Sequence, residues 1–332
     1  TRVPASVITL SDPTVKEGNQ ITIVATVTNP PQTDLIITLS NGKTTQTITI
    51  SAGQTTGSVT FDNPNSEDVY VDNSTETYKI TDATGGNYVS LDTSDSSVVT
   101  IDDTINPTTV KLTSTSTSTE GLTEDGGDVT YKVDLGAGVR YGDNPVTVTF
   151  KDILGKEKTI TINPPVNSTD APVKTGEIKV SYTEDELARE DVYKEAIENL
   201  GAKDAKVTGG NFEKLGSVTI ENNVTLTDSE DTTTVKLTST GTLTEDGGDV
   251  TYSVDLGAGV RYGDAPVTVT FKDILGNEKT ITINPPANQG DAPVTTGKII
   301  VPYKEAELAR EDVYVENIEN LSATDATVTG GN

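Results

Sequence analysis

The sequence predicts an all-β protein made of tandem immunoglobulin-like β-sandwich domains in an elongated array. Two observations predict this fold class. Apolar residues recur in short runs that alternate with Thr and Ser, and one unit of sequence is repeated along the chain. Alternation with a period near two is typical of strands with one buried face. Short strands with turn residues about every 8–12 positions are typical of a sandwich.

The first unit contains seven candidate strands with intervening turn signals. Asn41-Gly42 lies between two of them and is a strong hairpin signal, while Pro30-Pro31 and the region of Gly53 mark other breaks. We predict strands at residues 7–10, 20–28, 35–39, 45–50, 57–61, 69–80 and 97–101.

A tandem duplication accounts for most of the remaining chain. Residues 122–131 recur at 243–252, and from Leu122 onward the offset stays at 121 residues without a gap. A more distant copy precedes them, in which Lys16–Ile23 aligns with Glu124–Tyr131. We therefore predict three domains: residues 1–104, residues 105–231 with an inserted Leu-Gly-Ala-Gly-Val-Arg-Tyr-Gly-Asp segment, and residues 232–332 without a final strand.

One helix-favouring stretch interrupts each of the two similar copies. Residues 185–189 read Asp-Glu-Leu-Ala-Arg, and residues 305–310 read Glu-Ala-Glu-Leu-Ala-Arg. We predict a single helical turn that joins two strands in each copy.

Composition limits the cores and the partners. Hydrophobic residues make up 33% and aromatic residues 5% of the chain, so each core must be small and rich in Val, Ile, Leu and Tyr.

The net charge of −27 argues against nucleic acid and against anionic membranes as partners, because binding to either needs a basic surface. No apolar run approaches the ~18–20 residues of a membrane span. The chain contains no Met and begins at Thr1, and we read it as a segment of a longer protein.

The absence of two residue types narrows the chemistry. The chain has no Cys and no His, which excludes Ser-His-Asp and Cys-His catalysis and zinc sites of the usual kind. A glycosidase-like carboxylate pair is the remaining catalytic option, and in so acidic a chain such a pair arises by chance. We predict that the protein is not an enzyme, and that carboxylate-bound metal replaces disulfides as its structural support.

Acidic residues are predicted to converge at the end of each domain. If the strands run alternately up and down, the turns before the second and sixth strands and the exit of the last strand share one end. Two interpretations stay open: the acids are solvated turn residues, or they bind Ca²⁺, which takes six to eight oxygen ligands. The candidate calcium ligands are Glu17, Glu67, Asp68, Asp102, Asp103, Glu124, Asp125, Glu190, Asp191, Asp228, Glu230, Asp231, Glu245, Glu311 and Asp312.

Several short motifs of the first domain carry a family resemblance. They are Glu17-Gly18, Asn29–Leu35, Ala52–Val59, Glu67–Tyr70 and Ala83–Asn87. With these motifs the chain resembles the extender regions of large RTX-type bacterial adhesins that are exported by type I secretion. The likeness spans residues 5–104 and is looser beyond, and the glycine-rich nonapeptide repeats of such proteins are absent.

The resemblance implies a function and a location. Such regions form a stalk on the bacterial cell surface that projects a distal ligand-binding tip, with calcium rigidifying the joints in cell adhesion and biofilm formation. The implied partners are neighbouring domains of the same giant chain, with any surface or matrix ligand bound elsewhere in the protein.

A carbohydrate- or matrix-binding module is the alternative. Residues 138–141, repeated at 259–262, read Gly-Val-Arg-Tyr and offer an aromatic ring and a guanidinium that could bind a sugar. The competing interpretation is a glycine-rich loop whose Tyr packs on the sandwich.

Overall fold

The computed structural model describes residues 1–116, 121–189, 192–310, 314 and 318–332. These residues are almost entirely β-structure, with one helical turn in each of the two similar copies. The all-β fold class predicted from the alternation is therefore confirmed. The strands of residues 1–104 are β1 (Ser6–Leu10), β2 (Thr14–Lys16), β3 (Ile21–Val27), β4 (Leu35–Ser40), β5 (Thr45–Ile50), β6 (Thr56–Phe61), β7 (Ser74–Gly85), β8 (Leu91–Asp92) and β9 (Ser96–Asp102).

The first repeat is an immunoglobulin-like sandwich of two sheets. One sheet has the order β6-β3-β1-β8 and the other has the order β2-β9-β7-β4-β5. Most neighbouring strands pair antiparallel, but β2 runs parallel to β9. The N-terminal segment therefore belongs to one sheet through β1 and to the other sheet through β2. This switch places the end of β2 beside the end of β9.

The core of the first repeat follows from the alternation of its strands. In β3, the side chains of Ile21, Ile23, Ala25 and Val27 are buried and the intervening ones are exposed. They pack with residues from both sheets, including Tyr78, into one apolar cluster. Burial of such β-branched and aliphatic side chains is the main force that holds a small sandwich together.

All seven predicted strands are present in this repeat, with one changed boundary and two additions. The strand predicted at residues 69–80 begins at Ser74 and continues to Gly85. Tyr70 instead makes an isolated antiparallel bridge with Phe212, so this segment leaves the sheet. The short strands β2 and β8 were not predicted, because two or three residues are too few to show alternation.

The second repeat contains the inserted glycine-rich segment inside a long strand. Its elements are β10 (Pro107–Ser116), β11 (Leu122–Thr123), β12 (Gly126–Val139), β13 (Val146–Lys151), β14 (Glu157–Ile162), β15 (Val173–Thr183), α1 (Glu184–Leu187), β16 (Glu198–Leu200), β17 (Lys203–Gly209) and β18 (Lys214–Thr227). One sheet contains β10, β12, β11, β18 and β16 with β15 paired to β12, and the other has the order β14-β13-β17.

The predicted loop at residues 135–143 is only partly a loop. Strand β12 continues to Val139, and the turn is confined to the residues after it. Glycine is required on this strand because neighbouring atoms approach closely: a Cβ on Gly136 would lie 2.4 Å from Thr109 Oγ1, and one on Gly138 would lie 2.6 Å from Pro172 Cβ.

Within its described residues, the third repeat has counterparts of six strands and of the helical turn of the second repeat. They are β19 (Val235–Thr240), β20 (Gly247–Val260), β21 (Val267–Lys272), β22 (Glu278–Ile283), β23 (Val294–Lys304), α2 (Glu305–Leu308) and β24 (Thr324–Gly330). The two sheets have the orders β19-β20-β23 and β22-β21-β24. Within the described part of this repeat no strand corresponds to β11, β16 or β18, and every residue of β24 is exposed.

By its internal contacts, the chain divides into two compact units. The first contains residues 1–115, 129–180 and 200–224, and the second contains residues 116–128, 181–199 and 225–332. The domain boundaries at residues 104 and 231 stay a prediction. The two predicted helical turns are confirmed as α1 and α2.

Candidate cation sites

The parallel pairing of β2 and β9 creates the first site. Lys16 lies opposite Asp102, so the next residues, Glu17 and Asp103, leave the two strands side by side. The amide of Glu17 donates to the carbonyl of Asp102 at 2.9 Å. Gly18 then turns the chain with a φ of +73°, and a Cβ there would lie 3.1 Å from Glu67 Cβ. The Glu-Gly turn is thus packed against the segment that carries the other candidate acids.

The carboxylate of Glu17 is buried without full compensation. Only 1% of the residue is exposed. Its Oε1 accepts from the Thr104 hydroxyl at 2.8 Å and from the Thr104 amide at 3.2 Å. Its Oε2 is buried and has no hydrogen-bond partner. A buried charged oxygen without a donor or counter-ion is costly, so this atom marks a position where a cation would be stabilising.

Four more acids surround Glu17, and we call the five residues cluster 1: Glu17, Asp68, Asp72, Asp103 and Glu213. One carboxylate oxygen from each of Glu17, Asp103 and Glu213 lies within 4.8 Å of the others. A second group of three, within the same limit, combines Glu17 with Asp68 and Asp72. Glu17 belongs to both groups and therefore lies at their centre.

The second repeat supplies Glu213 through a backbone bridge. The amide of Val71 donates to Asn211 O at 3.0 Å, and the amide of Glu213 donates to Val69 O at 2.9 Å. This bridge fixes Glu213 beside the first repeat. The Glu213 carboxylate accepts from the Asn106 amide at 2.6 Å through Oε2, while its Oε1 is buried and has no partner.

The protonation equilibria in cluster 1 reflect this crowding. Burial, together with the nearby Glu17 and Asp103 carboxylates, raises the pKa of Glu213. Burial is also the largest cause of the raised pKa of Asp103, with Asp72 and Glu17 adding to it. Both shifts mean that the negative charges of cluster 1 are unfavourable when no cation accompanies them.

Two predicted ligands of the first repeat lie at the margin of cluster 1. Glu67 is exposed, and its Oε1 accepts from the hydroxyl of Thr104 at 2.7 Å and from the side-chain amide, Nδ2, of Asn106. These two hydrogen bonds lower the pKa of Glu67, the Thr104 bond most. The carbonyl of Asp102 accepts from the Glu17 amide, and its carboxylate belongs to neither group of three. Thr104 carries one hydroxyl proton, so it can donate to only one of Glu17 and Glu67 at a time.

Cluster 2 is the corresponding site in the second unit and consists of Glu124, Asp228 and Ser229. Strand β11 runs parallel to β18, so that Glu124 follows Thr123 as Glu17 follows Lys16. Glu124 is 1% exposed, and its Oε1 accepts from the Ser229 hydroxyl at 2.8 Å. Glu124 Oε2 and Asp228 Oδ1 are buried and have no hydrogen-bond partner. Burial, with the neighbouring Asp228, raises the pKa of Glu124.

The remaining predicted ligands are dispersed. Asp231 accepts at 3.4 Å from the Ser229 hydroxyl at the edge of cluster 2. Asp125 and Glu230 are exposed, and Glu245 is half-buried in the third repeat. Glu190, Asp191, Glu311 and Asp312 lie outside the described residues.

The prediction from sequence did not include Asp72 and Glu213. It also aligned Glu17 one residue away from its structural counterpart in the second repeat. Asp72 has an acidic counterpart, Glu195, two residues after Tyr193, so comparison of the copies could have revealed it. The amide of Glu195 donates to Asp228 Oδ2 at 3.1 Å, so Glu195 also lies beside cluster 2. The sequence alignment pairs Glu17 with Asp125, whereas the strand register pairs it with Glu124.

The first repeat is similar to a known protein family. Residues 5–104 match the family model of the LapA domain, a domain of large adhesins. This part of the chain is therefore similar to an adhesin repeat. Among solved structures, the chain matches the crystal structure of the titin I9–I11 tandem with 11% identity, covering 97% of this chain and 93% of that one, at a TM-score of 0.17. No curated protein matches the sequence.

The described residues include no helix with the length and apolar character needed to cross a membrane.

Proposed function

We propose that the chain is an extender segment of a bacterial cell-surface adhesin, in which calcium ions bound at clusters 1 and 2 stiffen the junctions between repeats. The LapA match and the tandem sandwiches support a structural, non-enzymatic role. The buried, unpartnered Oε2 of Glu17 is the observation that carries the calcium part of the proposal.

The donor set favours calcium among the common metals. Cluster 1 offers carboxylate oxygens, and the sequence has no His or Cys for a softer metal. Calcium accepts irregular sets of six to eight oxygens and can fill its remaining positions with water and backbone carbonyls. Magnesium requires a strict octahedron and keeps its water more firmly, so it fits this spread of acids less well.

A bound ion would link two repeats at cluster 1. Glu17 and Asp103 belong to the first repeat, and Glu213 belongs to the second. An ion coordinated by all three resists separation of the repeats because separation removes ligands. It also neutralises carboxylates whose charged forms are otherwise disfavoured.

The finer features of the proposal extend the family resemblance. In this proposal the segment is extracellular, is exported by type I secretion with an RTX-type adhesin, and takes part in cell adhesion and biofilm formation. Its partners are adjoining domains of the same chain, and a ligand-binding tip lies elsewhere in that protein.

Thermal unfolding in EDTA, in about 10 mM CaCl₂ and in equal MgCl₂ tests the proposal. For a dissociation constant of roughly 0.1–1 mM, as in other extracellular modules, calcium stabilises each site by about 1.4–2.7 kcal/mol. Small-angle scattering in the same buffers should show a larger maximum dimension with calcium. Glu17→Gln should lose most of the calcium effect on the first unit, whereas Glu177→Gln, which changes an exposed acid on β15, should keep it.

Equal melting temperatures in EDTA and calcium would exclude the calcium sites and reduce the acids to solubilising charge. An equal response to magnesium would indicate screening of the net charge rather than a coordinated ion.

The carbohydrate-binding alternative rests on the two Gly-Val-Arg-Tyr segments. Tyr141 is 56% exposed and Tyr262 is 52% exposed, so both rings are accessible to a sugar. Arg140, however, stacks on Tyr70, with its Cζ 3.6 Å from the ring centroid. Its guanidinium therefore has a protein partner, which speaks against a sugar site that depends on it.

A further inference from the structure

Tyr70 of the first repeat is contacted by two side chains and one carbonyl of the second repeat. Phe212 stacks on it with ring centroids 5.3 Å apart and an interplanar angle of 26°. The Arg140 guanidinium lies over the ring, with Cζ 3.6 Å from the centroid. The Tyr70 hydroxyl donates to Gly138 O at 2.7 Å. One side chain thus makes a stacking contact, a cation–π contact and a hydrogen bond.

The turn after β12 is built to present this guanidinium. The carboxylate of Asp143 accepts from the Arg140 amide at 2.8 Å and from Arg140 Nε at 3.3 Å through the same Oδ2. Gly142 has a φ of +83°, which closes the turn between them. Because the arginine is fixed by Asp143, little side-chain freedom is lost when it contacts the tyrosine.

The same arrangement occurs independently in the second unit. Arg261 Cζ lies 3.7 Å from the centroid of Tyr193, and the Tyr193 hydroxyl donates to Gly259 O at 2.7 Å. Asp264 Oδ2 accepts from the amide and Nε of Arg261 at 2.8 and 3.3 Å. The inserted segment is therefore duplicated together with its target tyrosine.

We infer that residues 138–143 and 259–264 are docking loops that receive the tyrosine of the preceding repeat, and that they hold the junction without a metal ion. Each loop supplies a carbonyl and a guanidinium. The partner it fits is the tyrosine that ends a Glu-Asp-Val-Tyr segment, which has the same sequence in both copies. The contacts of the arginine and carbonyl with the tyrosine ring and hydroxyl use no carboxylate of cluster 1 or cluster 2; Asp68 of cluster 1 accepts instead from the Tyr70 backbone amide, at 2.7 Å through Oδ1. Each junction thus has two separate fastenings, one ionic and one aromatic.

Two amides that bridge the repeats report on this docking. The Val71 amide donates to Asn211 O and the Glu213 amide donates to Val69 O, on either side of the Tyr70–Phe212 contact. Hydrogen exchange at these amides requires the bridge to open. Measured on the full chain in EDTA, exchange at these amides reports opening of the bridge when no ion is bound.

The test is a double-mutant cycle of Arg140→Gln and Tyr70→Leu, read by exchange at these two amides in EDTA and in calcium. We expect Arg140→Gln to speed exchange by about tenfold in both buffers, as for loss of a partly buried cation–π contact. Tyr70→Leu should speed it more, because it also removes the stacking on Phe212 and the hydrogen bond to Gly138 O. The double variant should exchange little faster than Tyr70→Leu alone, since the cation–π contact is already lost there.

Three controls separate docking from general destabilisation. Tyr141→Ala changes the exposed neighbour of Arg140, and Tyr314→Leu changes a tyrosine that is 67% exposed; both should leave exchange unchanged. Tyr70→Phe is a milder variant that keeps the ring should Tyr70→Leu disturb folding, and Arg140→Gln should still speed its exchange.

The outcomes keep this inference distinct from the calcium proposal. Unchanged exchange in EDTA for Arg140→Gln, or additive effects of the two substitutions, would overturn the docking loop. An effect seen in calcium alone would also overturn it, because the aromatic fastening would then depend on the ion. A clear effect in EDTA with no calcium response in any variant would support docking and reject the calcium sites.

Discussion

Clusters 1 and 2 share an inner half, which consists of a buried glutamate and its hydroxyl donor. Within the described residues, only cluster 1 has an outer half supplied by a following repeat. In both, a glutamate with 1% exposure accepts from a hydroxyl through one oxygen and leaves the other without a partner. In both units a nearby tyrosine is covered by an arginine. Cluster 1 adds Glu213 and the bridge around Phe212.

This difference separates what one repeat builds from what its neighbour adds. Glu17, its hydroxyl donor Thr104 and Asp103 come from the end of a single sandwich, where two parallel strands finish together. Glu213 comes from the next repeat. The inner half should therefore bind a cation weakly by itself, and the additional carboxylate should both raise the affinity and connect the repeats.

The largest expected effect comes from removing the inner glutamate of each cluster separately. Glu17→Gln should abolish calcium binding at cluster 1 and leave cluster 2 intact, and Glu124→Gln should do the reverse. Each should lose about 1.4–2.7 kcal/mol of calcium-dependent stability in about 10 mM calcium. Titration calorimetry should show the stoichiometry falling by one ion in each variant. An unchanged stoichiometry would show that the buried glutamates are not ligands.

Glu213→Gln should remove the charged carboxylate that the second repeat adds to cluster 1. We expect calcium affinity at cluster 1 to fall by about tenfold, or about 1.4 kcal/mol, because one charged ligand is lost. In EDTA the same variant should melt at a slightly higher temperature, since a crowded charge is removed. Glu157→Gln changes an exposed acid on β14 and serves as the matched control. Equal affinities for Glu213→Gln and the wild type would remove Glu213 from the site.

Tyr70→Phe and Tyr193→Phe compare the two tyrosine contacts directly. Each variant keeps the ring under its arginine and loses only the hydrogen bond to Gly138 O or Gly259 O. We expect a loss of about 1 kcal/mol in the free energy of unfolding for each, equal within error and independent of calcium. Differential scanning calorimetry of both variants measures it. A loss confined to one tyrosine would show that the duplicated contacts are not equivalent.

The smallest effect is a pH dependence that calcium should reverse. Burial raises the pKa values of Asp103 and Glu213, so in EDTA the folded chain holds protons that the unfolded chain has released. Their contribution to stability is thus present below the ordinary carboxyl pKa and is lost as the pH rises through the folded values. Glu67, with its lowered pKa, acts in the opposite sense but is fully exposed.

Melting curves at several pH values between about 4 and 7 measure this effect, since ordinary carboxyl groups titrate near 4. In EDTA the stability of the first unit should rise on acidification. In calcium it should fall, because protons compete with the ion for the carboxylates. The same sign of slope in both buffers would contradict coupling between the acids and calcium.

The fold was accessible from the sequence because its signals are local. Alternating burial in β3 and the hairpin signal at Asn41-Gly42 are properties of neighbouring residues, and the structure has a strand or turn at each. The start of β7 was predicted too early because Val69–Val71 has strand-like composition. That segment instead pairs with residues more than a hundred positions away, which no local pattern reveals.

The candidate sites were accessible only in part. Alternating strand direction was enough to bring Glu17, Asp68 and Asp103 to one end, and the structure places them together. Glu213 escaped because it enters from the next repeat through a backbone bridge. Asp102 and Asp103 are adjacent acids that the sequence does not distinguish, and only the carboxylate of Asp103 belongs to a group with Glu17. Arg140 was read as a possible sugar contact because its partner Tyr70 lies in another repeat.

The parallel pairing of β2 with β9 has a mechanical consequence. Thr14, Val15 and Lys16 lie opposite Thr100, Ile101 and Asp102, close to the entry and the exit of the first sandwich. A force that stretches the chain pulls these two strands past each other along their length, so their hydrogen bonds are loaded in shear and must fail together. An antiparallel hairpin pulled from its open end would instead unzip one bond at a time. The sandwich is thus arranged to withstand tension along the chain.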